Sequence, residues 1–257
     1  MGEARFIVDP RDPRAPPQDV WDRASEEERR RIVASLPSEP ERALPPEGDL
    51  HRRSKSRAVG ALEEFYRRTR RRIYLSSELP VYYPDEPMFA PDLLAVLEVD
   101  PHDRQSWVVS AEGKGLDLVL EVHAAGNRHK DFQNNVDRYA RLGISEYFVY
   151  EPLRSQIAGW RLDGAAGSYQ RIVPQGGRWG SRVLELDLAL EAGRLRFFHG
   201  SAELLDAQEL VERLSGMVDE AVSRAEAEAH RAEEEAHRAE RLAARLRELG
   251  VDPDEIA

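Results

Sequence analysis

The chain has 257 residues, of which 41% are hydrophobic and 33% charged, and its formal net charge is −11. This length accommodates one sizeable core plus extensions, and the lack of cysteine excludes disulfides, cysteine nucleophiles and thiolate metal sites. The acidic total argues against indiscriminate binding of duplex DNA over the whole surface, so a nucleic-acid contact requires a local basic face.

Two features of the sequence bear on its location. No stretch approaches the ~20 apolar residues that a membrane span needs, and the first residues contain no apolar signal core. We therefore predict a cytoplasmic protein without a membrane partner, which is compatible with the lack of cysteine.

Residues 1–45 are predicted to form an N-terminal extension with one short helix. Its beginning is rich in Pro, Arg and Asp and indicates an irregular segment. Ser25 and Glu28 have the spacing of a capping box, so we expect a helix from there to about Leu36. A linker should follow, marked by three prolines: Pro40, Pro45 and Pro46.

Residues 46–200 are predicted to form the main domain, which begins with a helix from about His51 to Arg72. Apolar residues form a stripe on this helix at Ala58, Leu62, Phe65 and Tyr66. Its end is crowded with basic residues, namely Arg67, Arg68, Arg70, Arg71 and Arg72. These arginines either complement the helix dipole and solvate the surface or contact DNA phosphates.

Short apolar runs in this domain predict the strands of a sheet. The runs are Ile73–Leu75, Val81–Tyr83, Leu93–Val99, Leu116–Val122, Tyr147–Tyr150, Ile157–Leu162, Tyr169–Val173, Val183–Leu190 and Leu195–Phe198. Residues 107–110 indicate a short strand or a loop. An Asp-Gly turn at Asp163 favours a hairpin between its flanking strands. A helix is expected over Lys130–Leu142, where Val136 and Tyr139 share one apolar face.

Two acidic residues stand out against these strands. Glu121 interrupts an apolar run, where a charged and unpaired carboxylate costs several kcal/mol. It therefore needs a metal, a cationic partner or a water-filled cleft. Asp92 opens the Leu93–Val99 strand. If the two strands are neighbours, both carboxylates converge on one divalent cation, and hard oxygen ligands suit Mg²⁺ or Mn²⁺.

The order of these features resembles the Uma-type restriction endonuclease family, which belongs to the PD-(D/E)XK nuclease superfamily. The resemblance covers about Pro46 to Phe198, and the matching residues are Asp92, Glu121-Val122, Asp131, Tyr139, Gly143-Ile144, Glu146-Tyr147-Phe148 and Glu151-Pro152. It implies an α/β fold with a restriction endonuclease-like mixed sheet flanked by helices. It also implies hydrolysis of DNA phosphodiester bonds, with Asp92 and Glu121 as the metal ligands.

The sequence departs from the family pattern at two lysine positions. His123 stands where the superfamily commonly has a lysine, and Asn135 replaces the usual helix lysine. His123 shares a strand face with Glu121. It either binds metal or accepts a proton, or it is a strand-end histidine bonded to a backbone carbonyl. Lys130 either supplies the ammonium or is a solvated helix start. Asp131 is expected to cap that helix, and Tyr139 to belong to the core.

Two functions of different classes follow. The first is a magnesium-dependent endodeoxyribonuclease in which Asp92 and Glu121 hold the ion while His123 or Lys130 assists the water. The second is a catalytically impaired nuclease-fold protein that acts as an interaction or assembly module.

Residues 201–257 are predicted to form a long C-terminal helix that resembles a coiled coil. Residues 224–244 repeat almost unchanged every seven positions. The repeat sets a seam of Ala225, Ala229, Ala232, Ala236, Ala239, Ala243 and Leu246. Alanine buries little area, so the seam is weak alone. We predict that it pairs two chains in a homodimer, with Gly250 and Pro253 ending the helix.

Overall fold

The computed structural model describes residues 6–38 and 48–250. The chain divides into two compact units, which meet in the sequence between Asp206 and Ala207. The helices in the described ranges are α1 (Gln18–Arg23), α2 (Glu26–Ser35), α3 (Asp49–Thr69), α4 (Val109–Glu112), a π-helical turn (Lys130–Asn134) continued by α5 (Asn135–Arg141), a 3-10 turn (Pro152–Arg154) and α6 (Ala207–Glu248).

A six-stranded mixed sheet forms the centre of the first unit. Its strands are β1 (Ile73–Ser76), β3 (Leu93–Leu97), β5 (Leu118–Val122), β6 (Glu146–Glu151), β7 (Gln156–Asp163) and β8 (Ser168–Arg171). They lie side by side in that order. Strands β5 and β6 are parallel, and the other neighbours are antiparallel. The predicted α/β class with a mixed sheet is therefore confirmed.

Two smaller sheets complete the first unit. One is antiparallel, in the order β12-β11-β10-β9, and the other pairs β2 with β4 in parallel. Their strands are β2 (Val81–Tyr82), β4 (Trp107–Val108), β9 (Arg178–Ser181), β10 (Leu186–Glu191), β11 (Arg194–His199) and β12 (Ala202–Glu203). The chain at residues 107–110 thus begins as a strand and continues into α4.

Each face of the main sheet buries a different set of apolar side chains. One face packs against α3 and the four-stranded sheet, with Leu62, Leu120 and Phe197 in the same cluster. The other face packs against α5, with Val119 and Tyr139 in a second cluster. Because successive strand residues point to opposite faces, the acid Glu121 lies on the α5 face with Val119.

Helix α3 ends earlier than the arginine run predicts. Arg70 has a left-handed backbone with φ 56°, which stops the helix after Thr69. Several of these arginines pair with acids of the chain itself: Arg67 with Glu64, Arg71 with Glu185 and Arg72 with Asp100. These pairs support a surface-solvating role for the run.

The N-terminal extension contains one helix more than expected. The capping box of Ser25 and Glu28 is confirmed, but α1 precedes it in a segment predicted to be irregular. Trp21 is the buried residue of α1 and joins a small cluster with Ile32 and Tyr82. A six-residue helix is too short to show a period, so only this burial reveals it. The predicted proline linker and Pro253 lie outside the described residues.

The predicted strand Val183–Leu190 begins later in the structure, at Leu186. Val183 and Leu184 are buried as a strand pattern requires, yet they lie in a turn in which Glu185 has φ 57°. The turn forms because the amides of Arg182 and Val183 donate to the Glu146 carboxylate, at 2.9 and 3.3 Å, instead of to a neighbouring strand.

None of the helices in the described ranges is both long enough and apolar enough to cross a bilayer.

Glu146 joins the main sheet to the four-stranded sheet. Its side chain is 1% exposed and accepts hydrogen bonds from Arg161 Nε at 2.8 Å and from Ser181 Oγ at 2.5 Å. The two amides described above complete its shell. A buried carboxylate that accepts from this many donors is well compensated, and its removal leaves several donors without an acceptor.

We predict that Glu146→Ala lowers the free energy of unfolding by about 3–5 kcal/mol, because it leaves a partly buried guanidinium without its counter-ion. Urea denaturation monitored by circular dichroism measures this loss. The control is Asp100→Ala, which removes an ion pair whose acid is 80% exposed and should cost at most about 1 kcal/mol. Equal losses in the two variants would contradict the joining role of Glu146.

Candidate active site

The register between β3 and β5 places the two candidate acids opposite each other. Leu93 pairs with Leu120, so the next position along the ladder brings Asp92 beside Glu121. The Asp92 amide donates to Glu121 Oε2 at 3.4 Å, and the Val122 amide donates to Asp92 Oδ2 at 2.7 Å. The structure therefore brings Asp92 and Glu121 together at one end of the main sheet.

The carboxyl group of Glu121 is buried and only partly compensated. The residue is 7% exposed, and its Oε1 accepts a hydrogen bond from the Tyr139 hydroxyl at 2.9 Å. Burial raises the pKa of Glu121 well above its usual value, and the negative charge of Asp92 raises it further, whereas Lys130 lowers it. A cation beside these two acids would relieve both effects.

Asp92 has a partner that the sequence did not reveal. His51, on the first turn of α3, places Nε2 3.0 Å from Asp92 Oδ2. The two residues are 41 positions apart, and the sequence around His51 is that of an ordinary basic helix. No local signal identifies the pair, because only the packing of α3 over the sheet brings it together.

The ring of His123 is bonded to a carboxylate and not to a backbone carbonyl, which was one of the two predicted alternatives. Its ring is buried, with Nδ1 2.7 Å from Asp131 Oδ2. Asp131 does not cap the helix as expected. It accepts from His123 and, at 3.3 Å, from Asn135 Nδ2. The residue that replaces the family's helix lysine therefore belongs to a polar chain with His123 and Asp131.

Lys130 occupies the start of the π-helical turn beside this polar chain. Its side chain is 65% exposed, and Nζ lies 3.9 Å from Asp131 Oδ1. Its charge is close enough to lower the pKa of Glu121. Lys130 is thus at a solvated helix start, as one of the two alternatives predicts, and its charge also acts on Glu121.

Tyr139 combines a core position with a polar contact. The residue is 2% exposed, as expected for a core residue. Burial and the adjacent Glu121 raise the pKa of its hydroxyl well above the usual value. The hydroxyl therefore stays protonated and serves as a donor to Glu121 Oε1.

The donor set fits a hard divalent cation that takes few protein ligands. Among the described residues, no three His, Asp or Glu side chains are arranged to hold an ion together. Mg²⁺ commonly uses one or two carboxylates and completes its shell with water and substrate phosphate oxygens. Asp92 and Glu121 supply such a pair, and their mutual repulsion favours a cation between them.

Comparisons with known proteins identify the family of this chain. No curated protein matches the chain. A solved structure, described as a "putative nuclease belonging to DUF820" from Anabaena variabilis ATCC 29413, is 12% identical with a TM-score of 0.40, and the match covers 51% of this chain and 74% of that one. The model of the Uma2 family, described as "Putative restriction endonuclease", matches residues 39–193, more than half of the chain. The chain belongs to the Uma2 family.

Proposed function

We propose that this protein is a metal-dependent endonuclease that hydrolyses phosphodiester bonds of DNA, with Mg²⁺ or Mn²⁺ held by Asp92 and Glu121. The observation that carries the proposal is the convergence of these two carboxyl groups at one sheet end, with Glu121 buried and its pKa raised. Groups with strongly perturbed pKa values cluster at functional sites. Membership of a family described as restriction endonucleases supports the same reaction class.

The metal would supply charge neutralisation at the phosphoryl group. The residues of the chain position the carboxylates of Asp92 and Glu121 and transfer protons. The Val122 amide and His51 Nε2 hold the Asp92 carboxylate in place, and the Tyr139 hydroxyl orients Glu121. Each of these donors fixes an oxygen that would otherwise rotate freely, which is the kind of support that metal ligands require.

His123 is proposed as the residue that accepts a proton from the attacking water. A carboxylate only accepts hydrogen bonds, so the contact with Asp131 keeps the hydrogen on His123 Nδ1 and leaves Nε2 as the acceptor. Lys130 is proposed to steady the negative charge that develops on the phosphate, as its exposed ammonium can reach a bound strand.

The alternative is a nuclease fold that has lost its chemistry and acts as an interaction or assembly module. The replacement of both family lysines, by His123 and Asn135, is the observation that favours it. It differs from the nuclease in one measurable respect, since it requires no cleavage with any divalent metal.

We expect wild-type protein to cleave plasmid DNA in magnesium or manganese, and Asp92→Asn and Glu121→Gln each to lower the rate at least ~100-fold, because each removes a ligand charge. Gel analysis of supercoiled, nicked and linear plasmid measures the rate. Asp100→Asn, an exposed acid beyond the end of β3 that lies opposite Asp92, is the control and should cut like the wild type. Equal cleavage by all four proteins would place the chemistry elsewhere, and no cleavage by the wild type would favour the alternative.

The same site should be visible without any reaction. In metal-free buffer we expect Glu121→Gln to raise the free energy of unfolding by about 1 kcal/mol or more, because it removes a buried charge while keeping an acceptor for Tyr139. Added magnesium should raise the melting temperature of the wild type and leave that of the variant unchanged. A magnesium shift of equal size in both proteins would contradict ligation by Glu121.

A further inference from the structure

A cleft lined by basic residues lies at the same end of the main sheet as the two acids. Its volume is about 350 Å³, and its lining includes Arg53 and Arg57 of α3 and Arg194 of β11. Arg53 and Arg57 are four residues apart, so they lie on one side of the helix. Two separate elements therefore contribute three arginines to the lining of one cavity.

These arginines differ from the run that ends α3. Within residues 6–38 and 48–250, none of the three forms a salt bridge with an acid of the chain. Arg67, by contrast, is bonded to Glu64. In a protein with a net charge of −11, three cations gathered without counter-ions favour an anionic ligand from outside.

The position of the cleft relates it to the acids. Tyr150 and Pro152, at the end of β6, line it, and Tyr150 pairs with Val122 in the parallel ladder. Since Asp92 precedes β3 and the order is β3-β5-β6, Tyr150 lies two strand spacings, about 10 Å, from Asp92. His51, which contacts Asp92, lies two residues before Arg53 in α3.

We propose that Arg53, Arg57 and Arg194 bind a backbone phosphate of the DNA strand whose neighbouring phosphate reaches Asp92 and Glu121. This inference rests on the proposed nuclease function. Guanidinium groups bind phosphate oxygens through paired hydrogen bonds and carry no base information. The cleft therefore positions the strand and does not select its sequence.

The test measures binding separately from cleavage. A fluorescent DNA duplex is titrated without divalent metal at several salt concentrations against wild type and Arg53→Gln/Arg57→Gln/Arg194→Gln. We expect the triple variant to bind more weakly, by a similar factor for unrelated sequences. The slope of log K against log salt should fall by about 1, because one phosphate contact is lost. Arg→Lys at the same positions should keep the slope.

The controls separate this inference from the nuclease proposal. Arg67→Gln/Arg72→Gln removes two arginines already paired with acids and should leave the slope unchanged. If the Arg53, Arg57 and Arg194 variant keeps the wild-type affinity and slope, or if the wild type does not bind, the phosphate site is overturned. Loss of cleavage in Asp92→Asn with the binding slope intact would support both proposals. Binding without any wild-type cleavage would leave the cleft and remove the nuclease.

A second inference concerns α6 alone and rests on its charge pattern. The alanine seam extends toward the N-terminus through Val218 and Val222, which are 59% and 50% exposed. Over residues 226–240 the positions that flank this seam are acidic on both sides: Glu226, Glu233 and Glu240 on one, Glu228 and Glu235 on the other. The first flank continues with Glu212, Asp219 and Arg247, and the second with Leu214, Ala221 and Leu242. In the described part of α6 no residue is buried.

A second copy of α6 does not complement this pattern. In a parallel pair, Glu228 would face Glu233 of the other copy, and Glu235 would face Glu240. In an antiparallel pair, the flank that contains Glu226, Glu233 and Glu240 would meet the same flank of the other copy. Between Ala225 and Ala243 these like charges oppose association, because a seam of alanines contributes little apolar area to offset them.

We propose that α6 pairs with a helix of another protein whose seam is flanked by lysine or arginine, in place of the homodimer that the heptads alone predict. The acidic flanks then form interhelical ion pairs, which select the partner. Small alanine side chains allow the two backbones to approach closely.

A charge-reversed copy of the chain serves as the probe. Wild type is mixed with a variant carrying Glu226→Lys, Glu228→Lys, Glu233→Lys, Glu235→Lys and Glu240→Lys, and masses are measured by light scattering at low salt. We expect each protein alone to remain at 29.2 kDa and the mixture to form a one-to-one complex that high salt dissociates. A wild-type dimer, or a mixture that stays monomeric, would overturn the inference.

A further variant separates seam pairing from simple charge attraction. Ala229→Gln/Ala236→Gln in the wild-type chain keeps every charge but places polar side chains in the seam. We expect it to lose the complex with the charge-reversed copy. If the complex persists with unchanged affinity, the seam is not the contact surface.

Discussion

The close approach of two carboxyl groups, one of them buried, is the constraint on which the rest of this structure depends. Asp92 directly precedes β3 and lies beside Glu121 of β5, so the β3–β5 ladder and the bond from the Asp92 amide to Glu121 hold the two acids close together. A fold that holds two like charges together at low exposure must balance them with donors or with a cation. The surrounding helices and strands supply hydrogen-bond donors to these two acids.

Support for the acids comes from both sides of the sheet. Helix α3 contributes His51 to Asp92, and α5 contributes the Tyr139 hydroxyl to Glu121. The polar chain of His123, Asp131 and Asn135 lies next to them on the α5 side. The main sheet is thus both the core of the domain and the platform that aligns groups from two helices. This coupling connects folding directly to the geometry of the site.

The charged residues of this protein differ in how well other groups of the chain balance their charge. Glu146 is fully buried and surrounded by donors, which makes it a structural carboxylate. Glu121 is also buried but has fewer donors and a raised pKa, which is typical of a functional carboxylate. The cations follow the same division, since Arg67 pairs with an acid of its own helix, whereas Arg53 lines an open cleft.

The sequence by itself determined most of the helices and strands and singled out the two acids. Periodicity located most strands and α5, the capping box located α2, and an acid within an apolar run singled out Glu121, because these signals depend on neighbours in the chain. Only the tertiary structure decided which groups surround the acids. His51 and Asp92 meet across 41 positions, and the arginines of the cleft come from α3 and β11. Such contacts depend on how helices pack over a sheet, and no local pattern of residues encodes that packing.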